Sequence, residues 1–91
     1  MGEVSYVLRY TESVVRKDIP ALPKKERRRI ERAIEEKLVM YPEIFGKPLR
    51  KSLSGFRSLR VGDYRVIYRI EGTAVRIYII AHRSVVYTRA K

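Results

Sequence analysis

Two short turns separate three stretches of alternating apolar and charged residues in the second half of this chain, between Leu59 and His82. Alternation places successive side chains on opposite faces of a strand, so each stretch predicts a strand with one apolar face. Gly62-Asp63 forms a two-residue connection, and residues 71–74 form the next turn. Short connections make neighbouring strands antiparallel. The pattern therefore predicts three antiparallel strands in this half of the chain.

A strand and two helices are predicted ahead of these three strands. Residues 4–10 alternate and are β-branched, which is typical of a strand. Thr11 suits the N-cap of a helix over residues 11–22, and a second helix follows from Lys24 to about Met40, ended by Pro42 before a basic loop over 42–55. The second helix has an apolar stripe formed by Ile30, Ala33, Ile34, Leu38 and Tyr41. Its opposite face carries residues of opposite charge three and four positions apart.

The predicted order is β-α-α-β-β-β. This order indicates an α+β fold, with a twisted, mainly antiparallel sheet covered on one face by an N-terminal helical hairpin. The chain has 91 residues, so we expect residues 1–91 to form one small domain.

The two turns sort the strand side chains into two faces. The predicted opposing pairs are Val61 with Tyr64, Arg60 with Arg65, Ile70 with Val75, Ile67 with Tyr78, and Arg65 near Ile80. One face is apolar and is expected to lie under the helices: Leu59, Val61, Tyr64, Val66, Tyr68, Ile70, Val75, Ile77 and Ile79. The other is basic and aromatic, and no segment is expected to cover it: Arg60, Arg65, Ile67, Arg69, Arg76, Tyr78, Ile80 and His82.

The basic face and the charge of the whole chain favour an anionic partner. Like charges opposed across strands destabilise a sheet, so we expect this face to recruit an anion, the alternative being a solvated face of extended arginines. The net charge is +11, and residues 47–69 hold seven basic residues against Asp63 alone. The chain contains no Asn or Gln, which is typical of thermophiles, but paired thermophile surfaces have balanced charge. The excess therefore predicts a polyanionic or acidic partner.

Several classes of function are disfavoured by what the sequence lacks. It contains no cysteine, so neither disulfides nor thiolate chemistry is expected. No Cys/His cluster, glycine-rich phosphate loop or carboxylate pair is present, so we expect neither a metal nor another cofactor. The apolar runs are too short to span a bilayer, and the first residues lack the apolar core of a signal peptide. We therefore expect a cytoplasmic protein that does not bind a membrane.

Two segments of the sequence resemble a known family. GFRSLRVGDYRVIYRI, followed by IIAHRSVVY, resembles the RelE/ParE superfamily of bacterial and archaeal toxins, and KPLRKSLSG resembles the family's approach to its second strand. The resemblance covers essentially the whole chain and is closer to RelE. It implies a RelE-like fold and a toxin of a type II toxin–antitoxin system, neutralised by a cognate antitoxin whose acidic or amphipathic segment wraps the toxin. It also implies a monomer alone and a heterotetramer or larger assembly with antitoxin.

The resemblance implies an activity and a set of site residues. RelE-like members enter the ribosomal A site and cut messenger RNA without a metal, and for such an activity the expected catalytic residues are Arg65, Arg83, Tyr87 and His82. The expected RNA-binding residues are Lys47, Arg50, Lys51, Arg57, Arg60, Arg69 and Arg76. Asp63 is expected to form the turn and to orient a neighbouring arginine, while Tyr64 and Tyr68 are expected in the core.

The sequence departs from the RelE pattern on the second strand. The family's lysines there are replaced by Phe56, Arg57, Ser58, Leu59 and Arg60. Arginine is a poor general base, so the base is left open among Tyr87, His82 and Lys51. His82 is alternatively a strand-end residue that bonds the backbone, and Tyr87 alternatively docks the chain end.

Three functions remain open from the sequence. The first is a ribosome-dependent messenger RNA endonuclease. The second is a non-catalytic toxin, either a ParE-like gyrase poison or a decayed toxin that still binds antitoxin. The third is a basic RNA-binding domain without catalysis, since release of counterions alone gives affinity for RNA.

Overall fold

The computed structural model describes residues 5–89 and contains a five-stranded sheet. Its strands are β1 (Val7–Tyr10), β2 (Lys47–Pro48), β3 (Arg57–Val61), β4 (Tyr64–Glu71) and β5 (Ala74–His82). They lie side by side in the order β1-β5-β4-β3-β2. β1 runs parallel to β5, and the other neighbours are antiparallel. The predicted α+β class and mainly antiparallel sheet are confirmed.

Helical segments occupy the connection between β1 and β2, the connection between β2 and β3, and the residues that follow β5. A π-helical segment (Val14–Asp18) continues into α1 (Ile19–Ala21), and α2 (Lys24–Ala33) continues into a second π-helical segment (Ile34–Leu38). The short elements are α3 (Pro42–Phe45), a 3-10 turn (Lys51–Leu53) and α4 (Val86–Arg89). No helix within residues 5–89 is both long and apolar enough to cross a membrane.

The predicted helical hairpin is confirmed, with additions. The hydroxyl of Thr11 accepts the backbone N–H of Val14 at 3.3 Å, as expected of a residue that begins a helix. Pro42 does not simply end the second helix but begins α3. The basic loop expected over 42–55 contains α3 and β2, and α4 was not expected at all. Residue 4, in the predicted first strand, lies outside the described residues.

The main core lies between the helical hairpin and one face of the sheet. Its buried members are Val14, Leu22, Ile30, Ala33, Ile34, Leu38, Leu59, Val61, Val66, Tyr68, Val75, Ile77 and Ile80. Tyr68 is the largest fully buried side chain, and its hydroxyl donates to the carbonyl of Pro42 at 2.6 Å. A Cβ on Gly46 would lie 1.8 Å from that hydroxyl, so only glycine fits there. Tyr41, predicted in the apolar stripe, is 44% exposed, and that prediction is wrong.

The register between strands matches the prediction near the turns and departs from it in the middle of β5. Val61–Tyr64, Arg60–Arg65 and Ile70–Val75 are paired as predicted. The register shifts between Ile67 and Tyr68, which leaves one extra residue on β5. As a result Ile67 pairs with Ile79 instead of Tyr78, and Arg65 pairs with Ala81 instead of lying near Ile80.

Because of this irregularity, the residues that follow it on β5 lie on the face of the sheet opposite to the predicted one. An extra residue in one strand reverses the alternation beyond it. Ile80 is consequently buried in the main core, and Ile79 packs on the other face. His82 alternates with Ile80, and its ring contacts Tyr64 edge to face at 5.5 Å between centroids. The predicted places of Ile79, Ile80 and His82 are therefore wrong.

The second face of the sheet is partly covered, which also corrects the prediction. Ile67, Ala81 and Val86 form a second buried cluster, flanked by Leu49, Phe56 and Ile79. Val86 belongs to α4, so the last helix seals part of this face. The basic residues of the face surround this small cluster instead of forming an open basic sheet.

Candidate functional site

The candidate site lies where the β3–β4 turn meets the end of β5. The backbone N–H of Arg83 donates to the carbonyl of Asp63 at 2.8 Å. The Nε atom of Arg83 lies 3.6 Å from Oδ1 of Asp63, and both side chains are largely exposed. Such a pair contributes little stability in solvent, but it restrains the direction of the guanidinium. Asp63 thus sits in the turn and orients an arginine, as the sequence predicted.

Arg65 is held against the same turn. Its Nη1 atom donates to the carbonyl oxygens of Gly62 at 3.2 Å and Tyr64 at 3.0 Å. Among the described residues no carboxylate lies within ion-pair distance of Arg65 or of Arg60, which pairs with it across the strands. The half-buried guanidinium is therefore positioned by neutral oxygens, and its charge is available to an anion.

Tyr87 reaches the second face from α4. Its hydroxyl donates to Oγ of Ser58 at 3.3 Å, and the side chain is 42% exposed. Ser58 alternates with Arg60 on β3, so the phenol and that arginine project from the same face of the strand. Both readings of Tyr87 left open by the sequence are compatible with this geometry, because the residue docks the chain end and also presents its hydroxyl.

His82 lies at the end of β5 on the opposite face of the sheet from Arg65, and its Nδ1 atom contacts Ser84. The backbone N–H of Ser84 donates to Nδ1 at 3.2 Å, and the hydroxyl of Ser84 is 2.9 Å from the same atom. An Nδ1 that accepts a hydrogen bond leaves the proton of the neutral ring on Nε2. In this arrangement the imidazole donates through Nε2 and is disfavoured as a general base.

Asp18 supports the site and was missed by the sequence analysis. Its side chain is only 3% exposed, and Oδ1 lies 2.9 Å from Nη1 of Arg89 on α4. Oδ2 accepts the backbone N–H of Ile80 at 2.9 Å. The carboxylate therefore joins the first helical segment, β5 and the helix that carries Tyr87. No local pattern signals this role, because both partners, Arg89 and Ile80, are distant from Asp18 in sequence.

The expected RNA-binding residues do not form a single surface. Lys47, Arg50 and Lys51 are exposed in the segment before β3, and Lys51 has a φ of 58°, which non-glycine residues rarely adopt. Arg57 projects toward the helices instead and donates to the carbonyls of Glu43 and Gly46. Its guanidinium is thus engaged in holding α3.

Arg69 and Arg76 lie at the far end of the second face. The guanidinium of Arg69 is 5.6 Å from the centroid of Phe56, and the rings of Phe56 and Tyr78 meet edge to face at 5.0 Å. Arg76 lies 4.0 Å from Glu71, whose other oxygen accepts the hydroxyl of Tyr78 at 2.7 Å. This end combines cations with the half-buried rings of Phe56 and Tyr78, whereas the turn end combines cations with the exposed phenol of Tyr87.

No group of three or more His, Cys, Asp or Glu side chains within residues 5–89 is arranged to hold a metal ion. The candidate site consists of guanidinium groups, a phenol and an imidazole. Such groups can bind a phosphate, stabilise added negative charge and transfer protons.

Comparison with families and curated proteins identifies relatives over nearly the whole chain. The family described as the ParE toxin of type II toxin–antitoxin systems, parDE, matches residues 6–87. Toxin RelG of Mycobacterium tuberculosis is 40% identical over 90 residues, which cover 92% of this chain and 98% of RelG. Toxin RelE of the same organism is 40% identical over 73 residues, covering 78% of this chain and 75% of that protein.

Solved structures show the same fold. One chain of the M. tuberculosis toxin–antitoxin complex RelBE2 superposes with a TM-score of 0.82 and 35% identity, covering 91% of this chain and 97% of that one. Escherichia coli toxin RelE, solved as an R81A/R83A variant (in its own numbering) with an antitoxin RelBc peptide, gives a TM-score of 0.71 at 24% identity. The coverage in that comparison is 96% of this chain and 95% of the other, and the likeness concerns the fold alone.

Proposed function

This chain belongs to the RelE/ParE superfamily of toxins from type II toxin–antitoxin systems, and we propose that it is a metal-independent endoribonuclease that cuts messenger RNA on the ribosome. The observation that carries the proposal is the pair of arginines at the β3–β4 turn. Arg65 is positioned by backbone carbonyls and Arg83 by Asp63, and neither guanidinium is neutralised by a buried carboxylate. Two oriented guanidinium groups suit a phosphate that gains charge during a reaction.

The proposed reaction needs only groups that this chain supplies. The ribose 2′-hydroxyl attacks the adjacent phosphorus, a new O–P bond forms, and the bond to the 5′-oxygen breaks. The products are a cyclic phosphate and a free 5′-hydroxyl. One proton leaves the 2′-hydroxyl and one reaches the departing 5′-oxygen. Arg65 and Arg83 stabilise the extra negative charge on the phosphate.

The candidates for proton transfer differ in what their geometry permits. Tyr87 and Lys51 are the candidates for the base, because the first presents its hydroxyl on the sheet face and the second is exposed beside β3. His82 suits the acid that protonates the leaving oxygen only as the imidazolium, in which Nδ1–H donates to the hydroxyl of Ser84 and the Nε2 proton is the one transferred. Loss of the rising limb of the pH–rate profile in Tyr87→Phe or in Lys51→Ala would identify the base.

The proposal includes a cognate antitoxin and a cytoplasmic location. The structural relatives include chains of toxin–antitoxin complexes, and the net charge of +11 favours an acidic or amphipathic segment. Val85 and Tyr87 are exposed apolar side chains beside the arginines of the turn and could anchor such a segment. We expect a monomer alone and a heterotetramer or larger complex with antitoxin.

The experiment that tests the activity is primer extension on translating ribosomes. The parent chain is expected to produce cleavage products, and Arg65→Ala or Arg83→Ala should each lower single-turnover cleavage by about 10²–10³-fold, the scale for losing one stabilising donor. Arg16→Ala is the matched control, because Arg16 is an exposed arginine paired with Glu12 on another surface. Intact message together with halted growth would overturn the enzyme assignment.

A non-catalytic toxin is the second candidate, and one observation favours it. β3 offers Arg57 and Ser58 where a RelE-like site would have lysines, and Arg57 is bound to the carbonyls of Glu43 and Gly46. A ParE-like poison of DNA gyrase would leave message intact and would arrest supercoiling by purified gyrase. The same parent chain in both assays separates the two functions.

A further inference from the structure

A second basic surface lies on the other side of the β3–β4 turn, between α2 and the end of β3. It is an open groove of about 780 Å³. Its exposed cations are Lys24, Lys25, Arg28, Arg29, Arg32 and Arg60. Glu36 is the one acidic residue that lines it, and Ala33 and Val61 form its apolar floor. We call this surface the α2 groove.

Within the part of the chain that the structure describes, no carboxylate lies within ion-pair distance of a cation of the α2 groove. Alternating charges along the second helix predict ion pairs three and four residues apart, involving Arg28 and Arg32 with Glu31, Glu35 and Glu36. No such pair comes within 4.0 Å, since the described ion pairs all lie elsewhere. That expectation of a paired outer face is therefore wrong. The groove keeps its positive charge and is suited to a polyanion.

The arrangement of the cations favours a regular chain of phosphates over an acidic protein segment. Lys24, Arg28 and Arg32 form one ridge along the helix, with successive residues about 6 Å apart. No exposed large apolar side chain lines the groove itself; the exposed ring of Phe45 lies at its border, 5.5 Å from Nζ of the lining residue Lys37. A peptide that folds on binding needs apolar anchors, whereas a phosphate backbone needs only cations.

The groove lining contains no aromatic residue, which favours a double-helical nucleic acid over a single strand as the ligand. Proteins that bind single strands generally stack the bases on aromatic rings, and here the rings of Phe56 and Tyr78 lie on the second face. Helical RNA is recognised mainly through its shape, its phosphates and its 2′-hydroxyls. We propose that the α2 groove binds the phosphate backbone of double-helical RNA, independently of sequence.

The groove is continuous with the candidate site through the β3–β4 turn. A Cβ on Gly62 would lie 2.7 Å from Nη1 of Arg29, so this guanidinium packs against the turn from the groove side. From the other side, Arg65 donates to the carbonyl of the same glycine. A folded RNA held in the groove would thus present an adjoining single strand to Arg65 and Arg83. The choice of RNA over other polyanions rests on the proposed function.

The binding test uses the full chain and an RNA duplex with 2′-O-methyl riboses, which cannot be cleaved. Arg28→Ala/Arg32→Ala removes two groove cations, and Arg16→Ala/Lys17→Ala removes two exposed cations from the first helical segment as a matched control. In fluorescence anisotropy at about 0.1 M salt, the groove variant should weaken duplex binding on the order of 10- to 100-fold, and the slope of log K against log salt should fall by about 2. The control should bind like the parent.

Other probes define the results that overturn the inference. Equal weakening by both double variants would mean that net charge alone is responsible. Loss of binding to a glutamate-rich peptide with unchanged duplex binding would make the groove a protein-binding surface. Tighter binding of a DNA duplex than of the RNA duplex would refute the choice of RNA. Thermal unfolding of both double variants must match the parent, which their exposed positions lead us to expect.

The outcome for the groove can be separated from the outcome for catalysis. If the parent binds the duplex and the groove variant does not, the groove inference stands even when no message is cut. If the groove variant binds the duplex normally but cuts message poorly, the groove inference fails while the endonuclease proposal stands.

Discussion

Arg89 and Asp18 form an ion pair in which Nη1 lies 2.9 Å from Oδ1, while the second oxygen of Asp18 binds the backbone N–H of Ile80. The carboxylate is almost fully buried, whereas the guanidinium remains partly exposed. Removing a buried acceptor leaves the Ile80 N–H without a partner, which is more costly than losing a surface contact. Asp18 therefore serves the stability of the fold and the placement of α4 together.

The two functions of Asp18 can be separated by substitution. Asp18→Ala should lower the free energy of unfolding by about 2–4 kcal/mol, because both the ion pair and the backbone bond are lost. Asp18→Asn keeps an oxygen for Ile80 and should be less destabilising. Urea unfolding of both variants checks this. Equal losses would show that the bond to Ile80 contributes nothing.

Tyr68 gives the protein a predictable weakness at high pH. Burial raises the pKa of the Tyr68 phenol above its usual 10.0, opposed in part by Arg57. The folded state thus favours the protonated phenol, so this contribution is complete below pH 10 and is lost as the pH rises through the raised pKa. Burial also raises the pKa of Tyr10, which adds to the same trend.

Tyr68→Phe tests this dependence. The variant should lose about 1–3 kcal/mol at neutral pH, because the carbonyl of Pro42 loses its buried donor. Above pH 10 its stability should fall less steeply than that of the parent. Unfolding free energies at a series of alkaline pH values provide the measurement. Parallel curves for the two proteins would contradict the assignment to Tyr68.

Two neighbouring residues on β4, Tyr68 and Arg69, should differ strongly in how much stability is lost when each is changed to alanine. Tyr68 is fully buried, and Tyr68→Ala should cost about 3–5 kcal/mol or prevent folding. Arg69→Ala should be nearly neutral, because Arg69 is exposed and its guanidinium lies over the ring of Phe56 at the surface. Melting temperatures of the two variants decide the matter, and a larger loss for Arg69→Ala would contradict the described faces.

Asp63→Ala tests whether the turn positions Arg83 for the proposed reaction. Loss of the carboxylate should lower cleavage of ribosome-bound message by about 10-fold while leaving the melting temperature almost unchanged, because the pair is exposed. Glu12→Ala breaks a comparably exposed pair far from the site and is the control. Retention of full activity in Asp63→Ala would show that Arg83 needs no orientation.

The regular part of the fold was predictable because it depends on local patterns. Alternation and two tight turns determine β3, β4 and the start of β5, including the pairs Arg60–Arg65 and Ile70–Val75. The irregularity in β5 was not predictable. Ile79, Ile80 and Ala81 are all apolar, so alternation along β5 does not tell which of them face the main core. The extra residue in β5 therefore cannot be recognised from the sequence.

The site was predictable only where a role depends on neighbours along the chain. Asp63 follows Gly62 in the turn, and its pairing with an arginine was expected. The place of Arg57 depends on carbonyls of α3, and that of Asp18 depends on β5 and α4. Such contacts are fixed by tertiary packing, which a single sequence does not reveal.

The parallel pairing of β1 with β5 has a consequence for the synthesis of this protein. Val7 lies opposite Ala74, so the first strand of the sheet must wait for the last one to leave the ribosome. Pairing across almost the whole chain is slow, because the entropy of closing the intervening loop is lost before the contact forms. We expect a nascent chain truncated before β5 to expose its helical hairpin without a complete sheet. A toxin built in this way cannot complete its sheet until β5 has been synthesised.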